Sequence, residues 1–246
     1  MSRTDLPAPS ATPALPTADD RHPARIRTFH PRRGRLTTRH HDALTRLWPR
    51  FGLTIPDDPA PPLDLARLFG RTAPVVLEIG SGMGEATAAM AAADPGRDWL
   101  AVEVHTPGIA NLLALIERDG LTNVRVARGD ALALLRWQLG PDSLDAVHVF
   151  FPDPWPKARH HKRRLIRPDN VALLRSRLAP HGTLHCATDW AEYAEQMRTV
   201  LDDDPGLVNT YDGFAPRPPH RPVTKFERRG LAAGHRIHDL IYRRRG

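Results

Sequence analysis

The chain has 246 residues, 41% of them hydrophobic, a formal net charge of +7 and one cysteine. That length fills one full-sized core with room for a tail. No apolar run is long enough for a membrane span, no apolar N-terminal segment reads as a secretory signal, and one thiol excludes a disulfide framework. The positive balance points to a polyanionic partner, nucleic acid first, and the lone Cys186 to a reducing, cytoplasmic setting.

Residues 1–24 are rich in Pro, Ala, Thr and Ser without apolar periodicity. Such a tail cannot offset its ordering entropy and is expected to be disordered. Residues 26–35 (IRTFHPRRGR) are basic with Phe29 interleaved, a pattern suited to an arm that folds against nucleic acid. A short helix is expected through Trp48 and a loop over 49–62, so that 25–62 forms an arm and short helix ahead of a domain at 63–246.

From Ala73 the pattern changes. Apolar strands are predicted at 75–79, 99–104, 124–128, 144–150, 182–188 and 237–243. Amphipathic helices are predicted at 83–93, 107–119, 131–139, 167–178 and 190–203. This alternation predicts an α/β fold, a doubly wound and mostly parallel Rossmann-like sheet covered on both faces. Pro141-Asp142 and Pro180-His181-Gly182 punctuate it as turns.

The first strand of that series runs into Leu77-Glu78-Ile79-Gly80-Ser81-Gly82-Met83-Gly84-Glu85. Glycines at a strand-to-helix turn let backbone approach a ligand, which makes Gly80 and Gly82 candidate cofactor contacts. Glu85 stands where a dinucleotide fingerprint wants its third glycine, and a carboxylate at a helix start repels a pyrophosphate. Glu78 likewise suits a cationic ligand. The charge pattern disfavours a nicotinamide cofactor and favours S-adenosyl-L-methionine, which carries a sulfonium and an ammonium. Glu103, at the end of the second strand, can accept both ribose hydroxyls of a nucleoside. Asp130, after the third, can cap the following helix or hydrogen-bond an adenine amino group.

The fourth strand ends in Phe150-Phe151-Pro152-Asp153-Pro154-Trp155-Pro156-Lys157. Three prolines at alternate positions remove backbone donors and fix φ, so a stiff loop begins at the edge where ligands bind open α/β sheets. Glu78, Glu103, Asp130 and Asp153 then place four acids along one edge. Trp155 can stack on a flipped base or pack beneath the loop. Asp189, after the fifth strand, can cap a helix or bind a nucleotide. Thr224 and Glu227 match a capping box. Only Lys157, Lys162 and Lys225 are lysines, against a large excess of arginine, which suggests sites wanting a compact charge. His235 and His238 have helical spacing but no Cys or third ligand accompanies them, so no metal is expected.

LEIGSGMGE (77–85), AVEVHTPGIANLL (101–113), GDALALL (129–135), VFFPDPWPKARHHKRR (149–164), TDW (188–190) and TKFERRG (224–230) together resemble the bacterial tRNA (guanine-N7-)-methyltransferases, class I methyltransferases that use S-adenosyl-L-methionine. The proline loop joined to TKFE is the specific part; the glycine turn alone would mark any class I methyltransferase. The resemblance covers roughly residues 26–243. It implies cofactor contacts at Glu78, Glu103, Asp130 and Asp153, and substrate contacts at Lys157, Asp189, Thr224, Lys225, Phe226 and Glu227. Arg159, His160, His161, Lys162, Arg163 and Arg164 would face RNA. The implied reaction is methylation of N7 of a guanine in the tRNA variable loop, with Asp153 as the catalytic residue that holds the base. A monomer or weak homodimer is expected.

Three rivals are distinguishable. Methyltransferases of exocyclic amines carry an Asn/Asp-Pro-Pro-aromatic loop, whereas here the acid lies between prolines. A non-catalytic RNA-binding module would not need the acid quartet. A dehydrogenase conflicts with Glu85.

Overall fold

The computed structural model describes residues 26–30 and 34–246, apart from the side chains of Lys225 and Phe226. The expected disordered tail and residues 31–33 of the arm lie outside the described residues.

One eight-stranded sheet organises the chain: β1 (Gly52–Thr54), β2 (Val75–Ile79), β3 (Asp98–Glu103), β4 (Val124–Arg128), β5 (Leu144–Phe150), β6 (Leu178–Thr188), β7 (Leu207–Asn209) and β8 (His238–Arg244), in the order β1-β4-β3-β2-β5-β6-β8-β7. The first six run parallel, while β8 is antiparallel to both β6 and β7. Strand order reverses at β2, which has β3 on one side and β5 on the other. That reversal opens a crevice at the carboxyl ends of the strands, where open α/β sheets bind ligands.

Apolar residues fill both faces because parallel strands are covered on both sides. On one face, α1 (Thr38–Phe51), α3 (Glu85–Ala93) and α4 (Thr106–Arg118) bury Leu44, Leu47, Met90, Ile109 and Leu113 over Val76, Ala101 and Val126. On the other, α2 (Leu65–Phe69), α5 (Ala131–Ala133), α6 (Pro168–Arg177) and α7 (Ala191–Asp202) pack Phe69, Leu132, Leu174, Tyr193 and Met197 over Leu77, Val147 and Leu184. A last helix, α8 (Lys225–Ala232), precedes β8. Cys186 is a free, buried thiol within this second layer, and burial pushes its pKa up. Among the described residues no helix is long and apolar enough to cross a membrane.

Several sequence expectations change. The first helix runs past Trp48 to Phe51 with Pro49 inside it. Only the last turn lies beyond the proline, and buried Phe51 anchors that turn in the core. The expected loop at 49–62 contains β1, which pairs with β4, so the segment set ahead of the main domain contributes both α1 and an edge strand to it. The single helix expected at 131–139 becomes α5 followed by a π turn at Leu134–Gln138. The turn at Pro180-His181-Gly182 is absorbed as an irregularity within β6, where the β5 partner jumps from Leu178 to Thr183. Three-residue β7 falls in the stretch expected to be irregular.

Candidate active site

A cleft of about 730 Å³ lies at the carboxyl ends of β2, β3 and β5, roofed by Thr28, Phe29 and His30 of the basic arm and by α8. Its floor is the glycine turn. Gly80, Gly82 and Gly84 all have positive φ, and a Cβ at Gly84 would fall 2.6 Å from the Leu112 side chain. Removing the side chains at this turn keeps α3 against α4 and leaves backbone facing the cleft.

Two acids face that floor. Glu78 is buried and accepts a hydrogen bond from the Thr87 hydroxyl at 2.6 Å. Burial, reinforced by the nearby Glu103 charge and opposed by the Thr87 hydrogen bond, leaves its pKa pushed up to about 7. Such a carboxyl is poised to ionise when a cation arrives. Glu103 accepts from the backbone N–H groups of Gly82 (2.7 Å), Val104 (2.7 Å) and His105 (2.8 Å). This web ties the end of β3 to the glycine turn. Asp130 caps α5, accepting from the Leu132 N–H at 2.8 Å, which fits the capping alternative.

The proline loop is strained as well as stiff. Phe151 and Trp155 have φ of 52° and 47°, a region that bulky residues rarely occupy and that marks functional loops. The Phe151 N–H donates to the Ala187 carbonyl at 2.7 Å, locking the loop onto β6. Trp155 is only 3% exposed. His30 stacks on it at 3.9 Å between centroids, Arg163 lies over its ring at 4.9 Å, and its Nε1 donates to the Thr28 carbonyl at 3.3 Å. Of the two readings of Trp155, packing beneath the loop and arm describes this state. Asp153 lines the cleft, and its Oδ2 accepts from the His30 backbone N–H at 2.9 Å.

The basic run behind the loop forms a 3-10 helix at Ala158–Arg163. Lys157, Arg159 and Lys162 are exposed, and His160, His161 and Arg163 are half-buried. Arg164 is the exception. It is buried, donates through Nε to the Pro154 carbonyl at 2.9 Å and through both terminal nitrogens to Glu192, and lies over the Tyr193 ring. The expectation that Arg164 faces RNA is therefore corrected: a guanidinium whose donors hold the proline loop onto α7 is not displayed to phosphates.

Glu227 needs a similar correction. Thr224 accepts from the Glu227 N–H at 3.0 Å as the N-cap of α8, but the Glu227 carboxylate is buried and turned to Arg221, at 2.5 and 3.3 Å. Arg221 also holds Asp239 through two bonds of 2.8 Å. This network anchors the start of α8 inside the protein, so Glu227 does not face substrate. Thr224 does line the cleft, and the side chains of Lys225 and Phe226 lie outside the described residues. Asp189 also lines the cleft, 3.4 Å from His235 Nδ1, and is not the cap of α7, whose N-cap is Trp190. His235 and His238 do not share a helix: the first precedes β8 and the second begins it.

With this arrangement described, relatives can be compared. A family model described as "Putative methyltransferase" matches residues 72–240. The tRNA (guanine-N(7)-)-methyltransferase of Streptomyces avermitilis is 60% identical over 222 residues, 89% of this chain and 76% of its own. That of Paraburkholderia xenovorans is 54% identical over 98% of this chain and 94% of its own. The chain belongs to the tRNA (guanine-N(7)-)-methyltransferase family. The 16S rRNA methyltransferase KamB shares the fold with a TM-score of 0.56 at 14% identity, over 78% of this chain and 99% of that one. A 30S ribosomal A1408 methyltransferase from an uncultured bacterium gives 0.51 at 12% identity, over 74% and 92%.

Within this family frame, some residues at the cleft were not singled out from the sequence. His30 falls in the arm, but nothing in IRTFHPRRGR marks that histidine as the one that reaches Asp153. Arg228 and Arg229 line the cleft mouth. They were legible only as part of the TKFERRG segment (224–230).

Proposed function

We propose that this chain transfers the methyl group of S-adenosyl-L-methionine to N7 of a guanine in tRNA, in the variable loop, forming N7-methylguanosine. The observation that carries the reading is the placement of Asp153: a carboxylate on a strained proline loop, at the rim of an acid-floored cleft in a tRNA (guanine-N(7)-)-methyltransferase relative.

The cleft residues fit the donor. Glu78, with its raised pKa, suits the ammonium of a methionine moiety, and the open backbone at Gly80 and Gly82 admits it closely. Glu103 presents acceptor oxygens for ribose hydroxyls, and Asp130, between the cleft-lining Gly129 and Ala131, would meet the adenine amino group. When bound, S-adenosyl-L-methionine supplies an electrophilic methyl carbon, whose bond to sulfur breaks as the N7 lone pair forms the new C–N bond. Guanine N7 has an in-plane lone pair and no proton, so the protein needs no general base to create the nucleophile. Its task is to align the base and to stabilise the positive charge that grows on it. Asp153 does both by accepting from the base's N1–H and N2–H groups. Asp189 and Thr224 flank the incoming nucleotide. Lys157, Arg159, Lys162 and Arg163 meet phosphates. A tRNA substrate and a single reduced thiol agree with a cytoplasmic setting.

Incubating the protein with labelled donor and unmodified bulk tRNA, then identifying the labelled nucleoside by mass spectrometry, tests this reading. N7-methylguanosine is the expected product. A labelled exocyclic amine, such as N6-methyladenosine, would transfer the site to different chemistry, and donor binding without any transfer would point to another RNA.

A further inference from the structure

Away from the cleft, three histidines from separate segments converge. His148 of β5 and His185 of β6 are direct partners in the parallel ladder, so both rings project from the same face of the sheet. His220, on the loop after β7, closes the triangle. Ring centroids are 5.7 Å apart for His148 and His185, 6.1 Å for His148 and His220, and 5.8 Å for His185 and His220. Each residue can offer one ring nitrogen such that all three lie within 4.8 Å of one another.

Two of these rings are buried, at 3% and 1% exposure, and the Nδ1 atoms of both have no hydrogen-bond partner among the described residues. A buried polar atom without a partner costs about 1–3 kcal/mol, and two on neighbouring rings call for an explanation. Asp239 Oδ1 holds His185 Nε2 at 2.7 Å, which leaves Nδ1 as the nitrogen His185 has to offer. A carboxylate on the far nitrogen is the usual orienting partner of a ligating histidine. Trp99 and Phe150 wall the site on the protein side, and exposed His220 gives an ion a way in.

The geometry points to a binding site for a divalent transition ion of the zinc class, held by His148, His185 and His220 with a fourth position open to water. Zinc with nitrogen ligands at about 2.0–2.1 Å in tetrahedral geometry sets those nitrogens roughly 3.4 Å apart. The triad would reach that by a modest contraction, through small rotations of the His148 and His185 rings and movement of the loop that carries His220. Nearby positive charge does not oppose the ion, because Arg221 is met by Glu227 and Asp239 and Arg97 by Asp94 and Asp145. The expectation of no metal rests on His235 and His238 alone; this triad comes from three segments and has no sequence spacing to reveal it. The ion would clip the 215–223 segment to β5 and β6. Its end, Pro222 and Val223, and the adjoining Thr224 form part of the cleft wall, so the site would fix one side of the cleft from behind.

The test uses full-length, untagged protein stripped with a chelator. Zn²⁺ is titrated against a chromophoric competitor, and Co²⁺ is added separately for its absorption spectrum. One equivalent bound with Kd below about 1 µM, intense tetrahedral Co²⁺ bands, and at least hundredfold weaker binding in His220→Ala are expected. His220→Asn, which keeps a polar side chain in the loop, should lose affinity alike, while His160→Ala/His161→Ala should bind as the wild type does. Binding weaker than the competitor can detect, or affinity unchanged in both His220 variants, would overturn the site and leave the two Nδ1 atoms to buried water.

Discussion

His30 meets Asp153 twice: its backbone N–H donates to Oδ2 at 2.9 Å, and its ring Nδ1 lies 3.3 Å from the same oxygen. The ring also stacks on Trp155 with a 20° interplanar angle. The His30 ring and backbone thus occupy the Asp153 oxygen that is proposed to hold the substrate base. The arm and the guanine therefore compete for one place. Removing the side chain should favour the base: His30→Ala is expected to lower KM for tRNA a few-fold with kcat retained. Steady-state kinetics at saturating donor checks this. A fall in kcat at unchanged KM would instead make His30 part of the alignment.

The buried Glu78 gives a pH signature. With a folded pKa of about 7 against an ordinary 4.5, the folded protein holds a proton there that the unfolded chain releases. Its contribution to stability is full below the unfolded value and declines as pH rises through about 7. A cationic ligand reverses the preference by favouring the ionised carboxylate. Affinity for S-adenosyl-L-methionine should then rise between pH 6 and 8, by at most about tenfold per unit, and level off above. Glu78→Gln should flatten that rise, weaken binding, and raise the Tm at pH 8 because it removes a buried charge. Calorimetry with a chelator present reads the affinity, and an identical pH profile in the variant would contradict it.

Neighbouring arginines should fail differently. Lys162→Ala/Arg163→Ala is expected to weaken tRNA binding and flatten its salt dependence by about two charges' worth of slope, with little change in Tm. Arg164→Ala removes bonds to Pro154 and Glu192. Since Glu192 is more than half exposed, the cost is mainly the lost loop anchor, about 2 kcal/mol or roughly 4–8 °C in Tm. Filter binding across a salt series and a melting curve separate the two. A salt slope that drops equally in Arg164→Ala would return that residue to the RNA face.

The contrast between Arg163 and Arg164 shows where sequence legibility ended. The limits 75–79, 124–128 and 144–150 coincide with β2, β4 and β5, because buried parallel strands are continuous apolar runs bounded by turn residues. The acids at their ends follow from that register. Direction within HHKRRL does not. The end of a 3-10 helix turns Arg164 inward over the Tyr193 ring, and the basic run gives no sign of it. β1 and β7 escaped notice because three residues carry no periodicity, and both depend on partners distant in sequence. The Arg221–Glu227–Asp239 network was invisible for the same reason: TKFE matches a capping box locally, yet the partner of Glu227 was decided by a loop packed against β8.

The central claim is that Asp153 acts on the base, beyond any contact it also makes with the donor. Single-turnover transfer from labelled S-adenosyl-L-methionine to tRNA, measured for wild type and Asp153→Asn alongside calorimetric donor affinity, tests it most directly. The account predicts a rate loss of about 10²-fold or more with donor Kd within a few-fold of wild type. A near-normal rate, or a rate loss matched by an equal loss of donor affinity, would contradict it.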